Sequence, residues 1–322
     1  TSHAVTVPLT LGKNQPCLQA APAGNIWYGA TSLRLVLETP VAPPQTYELD
    51  FSSSTLQPIT PIDDEHRTLY HQESVFVPSA DGTRIPLSLF YLNDREEDTS
   101  SYSLWNLFAK AGQTSNQEST SRESEKNRPV VLLGYGAYGE SVNLGYDPVL
   151  VSLLHKGYVV AFAHTRGGGE LGKSWHHAGR DERKIKSIED FEACAFYLKN
   201  RWKDRLIIKG FSAAGIMMGA AVNRQPALFD AMVLTNPFLD LYCTMKNPDL
   251  PLTVHEWDEF GNPLKDQNMD RLLQSYCPIT NVAAETDDYP RCLLIGALDD
   301  ENVPFWNATI FAKKIRDRRI NK

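Results

Sequence analysis

Cysteine is scarce in this sequence. The 322 residues include five cysteines, odd in number and widely spaced: Cys17, Cys194, Cys243, Cys277 and Cys292. This spacing fits neither a zinc site nor a disulfide framework, so it favours a reducing compartment and no structural metal. No apolar run comes near the roughly 18 residues that span a membrane. The first residues have neither the charged nor the apolar region of a signal peptide. We therefore expect a cytoplasmic protein without a membrane segment.

An excess of basic residues is absent as well. Lys and Arg total 32 against 39 Asp and Glu, and the net charge is -7, which argues against nucleic acid as a partner. Hydrophobic residues make up 42% and charged residues 22%, a balance that excludes a disordered or fibrous chain. At roughly 150 residues per domain, the length predicts about two domains.

The N-terminal part, residues 1–65, has the pattern of short β-strands and no helical period. Strands are predicted from Trp27 to Leu37 and from Thr46 to Phe51, and the prolines between Thr39 and Pro44 are expected to separate them. Two or three strands by themselves need partners to bury one face. We therefore predict that residues 1–65 are the end of a larger all-β unit.

A long β-hairpin is predicted over residues 67–92, because apolar residues alternate on both sides of the turn Ala80-Asp81-Gly82. Residues 93–128 are then rich in Ser, Thr, Glu, Asn and Gln. Such a composition cannot form a packed core. We predict a mobile surface connector there, without a function of its own.

From Pro129 onwards, short apolar strands alternate with helices. Strands are predicted at 130–133, 158–163, 206–208, 231–234 and 292–295, and helices at 150–156, 187–200, 213–223 and 306–316. The helix at 187 is expected to open with a capping box, Ser187-Ile188-Glu189-Asp190. This alternation predicts an α/β fold with a mostly parallel sheet covered on both faces. Functional groups of such sheets collect at the carboxyl ends of the strands.

Ser212 stands between a predicted strand and a predicted helix, in Gly210-Phe211-Ser212-Ala213-Ala214-Gly215. A serine at a sharp strand-to-helix turn is typical of the nucleophile elbow, with the pattern G-x-S-x-G. Ala214 departs from that pattern and adds a Cβ at a crowded place. By itself the segment is a weak motif, because a serine at a helix start is more often a cap.

Tyr135 lies in the glycine-rich segment Gly134–Gly139, directly after the first strand of the α/β part. Its hydroxyl is a candidate donor to an oxyanion, together with the backbone N–H of Ala213. The alternative interpretation is a glycine-rich turn with packed tyrosines. No G-K-[ST] follows, so the segment is not a phosphate-binding loop.

Two further segments follow predicted strands. Arg166–Gly172 has the glycines of an anion-binding nest but lacks the dinucleotide order G-x-G-x-x-G. Asp299 and Asp300 follow the last strand, where the acid of a Ser…Asp…His triad is expected. The alternative for these carboxylates is an acidic start of the helix near Trp306.

These segments, in this order, resemble the prolyl oligopeptidase family of serine peptidases, nearest to its prolyl endopeptidase-like and oligopeptidase B members. The matching motifs are G-Y-G-A-Y-G, R-G-G-G-E-L-G-x-x-W-H, the Ser212 turn, Leu250–Thr253 with Gly261–Pro263, and the acidic turn. The resemblance covers about residues 67–317. It implies an α/β-hydrolase domain at 66–322, preceded at 1–65 by the remnant of a β-propeller.

The resemblance also implies a chemistry. Ser212 would attack an acyl carbon of a short peptide, while the Tyr135 hydroxyl and the Ala213 N–H hold the oxyanion. Asp300 would orient a histidine that moves the proton. Asp300 is preferred because its spacing to Val303 is that of the family, and Asp299 remains the alternative. No metal or cofactor is needed.

Glu256 and Asp258 bear on substrate preference. They match positions where family members specific for basic substrate residues hold carboxylates. The alternative is a charged face of an amphipathic helix. Proline-specific members carry an Arg near the triad acid, where this sequence has Glu301 and Asn302. This difference argues against proline specificity.

The expected triad histidine is missing. None of the 22 residues after Asp300 is His, and all eight histidines lie upstream. We expect a fragment of a longer protein, inactive by itself, whose shortened sheet exposes an apolar edge and aggregates. His255 as a substitute would break the chain order of the triad. The alternatives are a non-catalytic interaction protein on a hydrolase scaffold, and a serine esterase or thioesterase. The oligomeric state is not predicted.

Overall fold

A computed structural model describes residues 19–22, 29–59, 69–93, 127–283 and 288–318. The described residues divide into two compact units. The first unit draws on residues 1–74, 89–127 and 143–159, and the second on residues 75–88, 128–142 and 160–322. Within this described part, no helix has both the length and the hydropathy needed to cross a membrane.

The first unit contains a four-stranded antiparallel sheet. Its strands follow each other in chain order: β1 (Gln19–Pro22), β2 (Ser32–Thr39), β3 (Ala42–Asp50) and β4 (Thr55–Pro58). Leu37, Val41 and Tyr47 are buried in this unit. The sheet agrees with the predicted all-β character, although residues 1–18, 23–28 and 60–68 lie outside the described residues.

The prediction that the prolines separate two strands is wrong in part. β3 begins at Ala42 and contains Pro43 and Pro44, which are exposed. The pairing of β2 with β3 shifts register between Leu37 and Thr39. β4 pairs with β3 only from Tyr47 onwards. The prolines therefore need no N–H for a second neighbour, and strands tolerate proline at such bulged edge positions.

The predicted hairpin is confirmed as β5 (Tyr70–Pro78) and β6 (Arg84–Leu92). Its turn is closed by the N–H of Ser79 on the carbonyl of Thr83 at 2.8 Å, and Gly82 has a φ of 83°. The polar connector that follows falls almost wholly on residues 94–126, which lie outside the described residues.

A seven-stranded sheet has the order β11-β10-β9-β7-β8-β6-β5. Its further strands are β7 (Val130–Gly134), β8 (Val159–Ala163), β9 (Leu206–Phe211), β10 (Ala231–Thr235) and β11 (Arg291–Ile295). β7, β9, β10 and β11 are paired in parallel. The mostly parallel α/β sheet is therefore confirmed.

In the part of the chain that the structure describes, helices and two short 3₁₀ turns connect the strands. The helices are α1 (Pro148–His155), α2 (Lys173–His177), α3 (Lys184–Trp202), α4 (Ala214–Arg224), α5 (Leu241–Met245), α6 (Thr253–Phe260), α7 (Gln267–Tyr276) and α8 (Trp306–Arg318). The 3₁₀ turns are Asp181–Arg183 and Pro226–Leu228. α3 contacts β7 and β9, and α4 contacts α3 and β9.

The predicted capping box at Ser187 is wrong. α3 begins at Lys184, so Ser187 lies inside the helix and is fully buried. Its Oγ is 2.6 Å from the carbonyl oxygen of Arg166 and 2.9 Å from that of Gly179. These buried carbonyls need a donor, so Ser187 serves a tertiary contact and not the helix terminus.

Candidate active site

Ser212 occupies a sharp turn between β9, which ends at Phe211, and α4, which begins at Ala214. Its φ is 53°, a left-handed value that is uncommon for a residue with a side chain. Its N–H donates to the carbonyl of Thr235 at 3.1 Å, and its carbonyl accepts the N–H groups of Gly215 and Phe238, both at 2.9 Å. Three backbone hydrogen bonds thus hold the strained conformation.

At this turn, the position that leaves no room for a side chain is Gly215 and not Ala214. A Cβ on Gly215 would lie 2.9 Å from the carbonyl oxygen of Phe238 and 3.0 Å from its nitrogen. Ala214 is fully buried and has room for its methyl group. The departure from G-x-S-x-G therefore leaves the turn intact.

Tyr135 directly follows β7, the strand next to β9, and its hydroxyl is hydrogen-bonded to the side chain of Ser212. Burial raises the pKa of Tyr135. The hydrogen bond with Ser212 opposes this rise, and the nearby carboxylates of Glu140, Glu256 and Glu259 add to it, so the pKa stays above its usual value. A raised pKa keeps the phenol protonated at neutral pH. Tyr135 is therefore available as a hydrogen-bond donor beside Ser212.

Ala213 contributes a backbone donor next to Ser212. It is the residue that precedes the first turn of α4. Among the described hydrogen bonds, its N–H is without an acceptor, which is usual for the first N–H groups of a helix. The turn thus combines a hydroxyl with an unpaired N–H, the combination that stabilises an oxyanion in acyl transfer.

Of the two predicted acids, Asp300 is the one whose carboxylate is held by several hydrogen bonds. Its Oδ1 accepts the N–H groups of Asn302 and Val303, both at 2.9 Å, and its Oδ2 accepts Nδ2 of Asn236 at 2.8 Å. Asp299 is exposed. The described contacts therefore fix the carboxylate of Asp300 in one orientation.

Asn236 connects the acid loop to the serine turn and was missed by the sequence reasoning. It follows Thr235, whose carbonyl accepts the Ser212 N–H, and its own N–H donates to the carbonyl of Ile295 at 2.7 Å. Its φ of 42° is left-handed, a conformation that Asn tolerates better than most residues. The sequence signal was an Asn directly after an apolar strand.

A cavity of about 380 Å³ opens beside Ser212. Its apolar walls include Phe238, Pro251, Leu252, Val303 and Trp306, and its acidic lining residues are Glu256 and Glu301. No lysine, arginine or histidine is among the described residues that line it. The cavity therefore combines apolar walls with negative charge.

Glu256 and Asp258, predicted together, lie in different surroundings. Oε2 of Glu256 accepts the hydroxyl of Tyr138 at 2.9 Å. Burial raises the pKa of Glu256, and the charge of Glu259 raises it further. Asp258 is exposed and is not among the described lining residues of the cavity. Glu301, in contrast, lines the cavity.

The histidines of the second unit do not meet Ser212 in the cavity. His164 is buried between Ser88 and Glu170, with Nε2 at 2.7 Å from Ser88 Oγ. His176 bonds to Glu259, and His255 is exposed on α6. The structure therefore brings Ser212, Tyr135 and Ala213 together, with the loop of Asp300 at the same cavity, and adds no base from these residues.

Comparisons with known proteins agree with the resemblance. The model of the prolyl oligopeptidase family matches residues 145–321, more than half of the chain. A prolyl endopeptidase-like protein of Xenopus laevis is 32% identical over 293 residues, which cover 90% of this chain and 37% of that protein. Dipeptidyl aminopeptidase BI of Pseudoxanthomonas mexicana is 31% identical over 300 residues, which cover 91% of this chain and 37% of that protein.

Solved structures show the same relationship. Oligopeptidase B from Leishmania major superposes with a TM-score of 0.79 at 26% identity, covering 97% of this chain and 40% of that chain. The α/β-hydrolase fold with preceding propeller-type strands is thereby confirmed. This chain spans 37–40% of the length of these three proteins. Its ordered motifs, the family match and its relatives together show that the chain belongs to the prolyl oligopeptidase family.

Proposed function

We propose that this chain carries the nucleophile and the oxyanion-binding groups of a serine peptidase. Ser212 Oγ attacks the carbonyl carbon of a scissile amide, the C–N bond breaks, and water later hydrolyses the acyl-enzyme. The observation that carries this proposal is the left-handed turn at Ser212, whose side chain bonds to Tyr135 at the cavity.

The developing negative charge is held by two donors. Tyr135 Oη and the N–H of Ala213 donate to the oxyanion when the carbonyl becomes tetrahedral. Losing one such donor typically costs a factor of about 10²–10³ in kcat. The raised pKa of Tyr135 supports this role, since a phenolate would repel the oxyanion.

The proton of Ser212 needs a base, and Asp300 is the group that would orient it. The carboxylate of Asp300 is held by three donors, and a histidine against it would take the serine proton and pass it to the leaving amine. None of the 22 residues after Asp300 is His. We therefore expect the chain as given to turn over substrates slowly or not at all.

Short peptides with a basic residue are the proposed substrates. Glu256 lies inside the cavity next to apolar walls, a setting that accepts the aliphatic stem and the cation of Lys or Arg. Asp258 lies outside that lining, so its contribution as a second carboxylate stays a weaker prediction. Glu256→Gln is expected to lower kcat/KM for basic substrates selectively.

Active-site labelling tests the proposal. The protein is produced both as given and with whatever sequence its gene encodes beyond Lys322, and is treated with a fluorophosphonate probe. Labelling should require Ser212 and disappear in Ser212→Ala. Asp300→Asn should slow labelling strongly, while the matched control Asp299→Asn should leave it unchanged. Folded protein that stays unlabelled in both forms would overturn the proposal.

A second candidate is a non-catalytic interaction protein on the same scaffold, since a fold does not by itself fix a function. Such a protein would still bind basic peptides in the cavity without cleaving them. Binding that depends on Glu256, in a form whose Ser212 is never labelled, would support this candidate.

A further inference from the structure

A buried charge cluster lies against the oxyanion loop, by which we mean residues Gly134–Gly139. Lys184 is the first residue of α3, and its side chain is 1% exposed. Its Nζ donates to the carbonyl of Gly136 at 2.7 Å and to Glu259 Oε1 at 3.1 Å. Lysine is almost never buried so fully without a partner. The ammonium therefore depends on these acceptors.

Glu259 extends the cluster to the end of the loop. Its carboxylate is buried, and Oε2 accepts Nε2–H of His176 at 2.7 Å. The ring of His176 lies so close to Gly139 that a Cβ there would be 3.2 Å from His176 Cγ. The cluster of Lys184, Glu259 and His176 thus touches the oxyanion loop at two points, Gly136 and Gly139.

The helix that carries Glu259 also bonds to the loop directly. Tyr138 donates to Glu256, and its ring meets Phe260 edge-on at 5.8 Å. Nζ of Lys184 lies 5.0 Å from the centre of the Phe260 ring. The oxyanion loop is therefore held against α6 at several places, and Lys184 also links it to α3. Ser187 of α3 makes a longer contact with the same carbonyl, its Oγ lying 3.4 Å from the carbonyl oxygen of Gly136.

The bond to Gly136 bears directly on Tyr135. Gly136 has a φ of 69°, so the backbone turns sharply one residue after Tyr135. A hydrogen bond on the carbonyl of Gly136 fixes the plane of the peptide between Gly136 and Ala137, because ω is rigid. Tyr135 lies one residue before this fixed plane, so the position of its Cα, from which the phenol extends, depends on the backbone that Lys184 holds.

We propose that Lys184, held in place by Glu259, is a positioning residue that aims the Tyr135 hydroxyl at Ser212. This inference rests on the proposed function, in which Tyr135 binds the oxyanion. Lys184 itself touches neither Ser212 nor the cavity among the described contacts. It acts through Gly136, so its loss should disturb the oxyanion donor and leave the substrate cavity in place.

The test pairs a charge-free variant with a surface control. Lys184→Met alone removes the ammonium from the buried carboxylate of Glu259 and leaves it His176 as a partner. Such a loss destabilises a fold, so the variant of choice is Lys184→Met with Glu259→Gln. The control is Lys186→Met on the same helix, whose ammonium pairs with Glu189 and Asp81. Lys184→Arg tests rescue, because arginine keeps the cation and its donors. Glu259→Gln alone serves as a second variant that retains an acceptor for Lys184.

The first readout is independent of catalysis. The chain is labelled with 3-fluorotyrosine, and the ¹⁹F signal of Tyr135 is assigned by its absence in Tyr135→Phe. The double variant should shift or broaden this signal, Glu259→Gln should do so less, and Lys186→Met should not. Tyr197, on the far part of α3, should keep its signal throughout.

The second readout is the rate of fluorophosphonate labelling at Ser212. It should fall about tenfold or more in the double variant, to the level of Tyr135→Phe, and recover in Lys184→Arg. Variants with a lower unfolding midpoint but wild-type Tyr135 signal and labelling rate would show a merely structural ion pair and overturn the inference. Absence of labelling in the wild type of both forms of the protein would instead refute the proposed function, while the ¹⁹F signal would still decide the role of Lys184.

Discussion

β9 and β11 flank the same strand, β10, and both pair with it in parallel. Met232 of β10 lies between Ile208 of β9 and Cys292 of β11. β9 also pairs with β7 and is covered by α3 and α4, and its Leu206 is fully buried. β11 ends the described sheet, and its Leu293 is 55% exposed. Two apolar runs that look alike in sequence thus differ in burial because of their neighbours.

Because of this difference in burial, one part of the candidate site rests on close-packed strands and another part on an exposed edge strand. Ser212 and Tyr135 follow the central strands β9 and β7, whereas Asp300 follows the edge strand β11. The candidate nucleophile and the candidate oxyanion donor are therefore positioned by a close-packed core. The candidate acid, Asp300, is held by its own loop and by the side chain of Asn236, which directly follows β10.

The largest effect is expected from matched leucine truncations. Leu206→Ala removes a fully buried side chain and should lower the free energy of unfolding by about 2–5 kcal/mol. Leu293→Ala removes a half-exposed side chain and should cost less than about 1 kcal/mol. Urea unfolding followed by circular dichroism measures both. Equal losses would mean that another surface covers β11 in solution.

Two glycine-to-alanine substitutions compare the packing of the segment that follows β9 with that of the segment that follows β11. Gly215→Ala places a methyl group 2.9 Å from the Phe238 carbonyl oxygen and should cost about 1–3 kcal/mol. Gly296→Ala, after β11, meets nothing closer than 3.7 Å and should be neutral or stabilising by about 0.4–1 kcal/mol. Thermal unfolding midpoints compare the two. A tolerated Gly215→Ala would show that the Ser212 turn is not close-packed.

A smaller, pH-dependent effect is expected from Glu192, on the helix that covers the central strands. Burial raises its pKa to about 7, and Arg224, whose Nε is 2.8 Å from Glu192 Oε1, opposes the shift. Between pH 4.5 and 7 the folded state keeps a proton that the unfolded state releases, so the free energy of unfolding falls as pH rises. The loss should be about 2 kcal/mol, reduced because the ion pair is partly exposed.

Chemical denaturation at several pH values checks this expectation. Glu192→Gln should flatten the decline between pH 4.5 and 7. Glu189→Gln on the same helix should only lessen it, because the charge of Glu189 adds to the raised pKa of Glu192. A decline that persists in Glu192→Gln would assign the pH dependence to another group.

The elements with strong local patterns were predicted correctly. The alternating hairpin, the apolar central strands and the serine between a strand and a helix all follow from periodicity and small residues. The errors arose where a distant group decided the outcome. Ser187 has a capping pattern but bonds to carbonyls of another loop, and Pro43 lies in a strand because no second neighbour needs its N–H.

In the candidate site, too, features with a local sequence pattern were predicted and features that depend on distant contacts were missed. Ser212, Tyr135 and Asp300 could be proposed from the sequence because their residue types and their positions after strands suggest the chemistry. Asn236 and Lys184 were missed, since an amide that holds a carboxylate and a lysine that holds a carbonyl leave no spacing in the sequence. Asp258 and Glu301 are equally acidic in sequence, and only Glu301 lines the cavity.

The sequence by itself determined which segments form strands and helices and which hydroxyl stands at a turn, because these properties depend on neighbours along the chain. The tertiary structure alone decided which strand is buried, which carboxylate is held and which lysine lies beneath the oxyanion loop. Those outcomes depend on desolvation and hydrogen bonds between residues far apart in sequence, and local patterns do not encode such contacts.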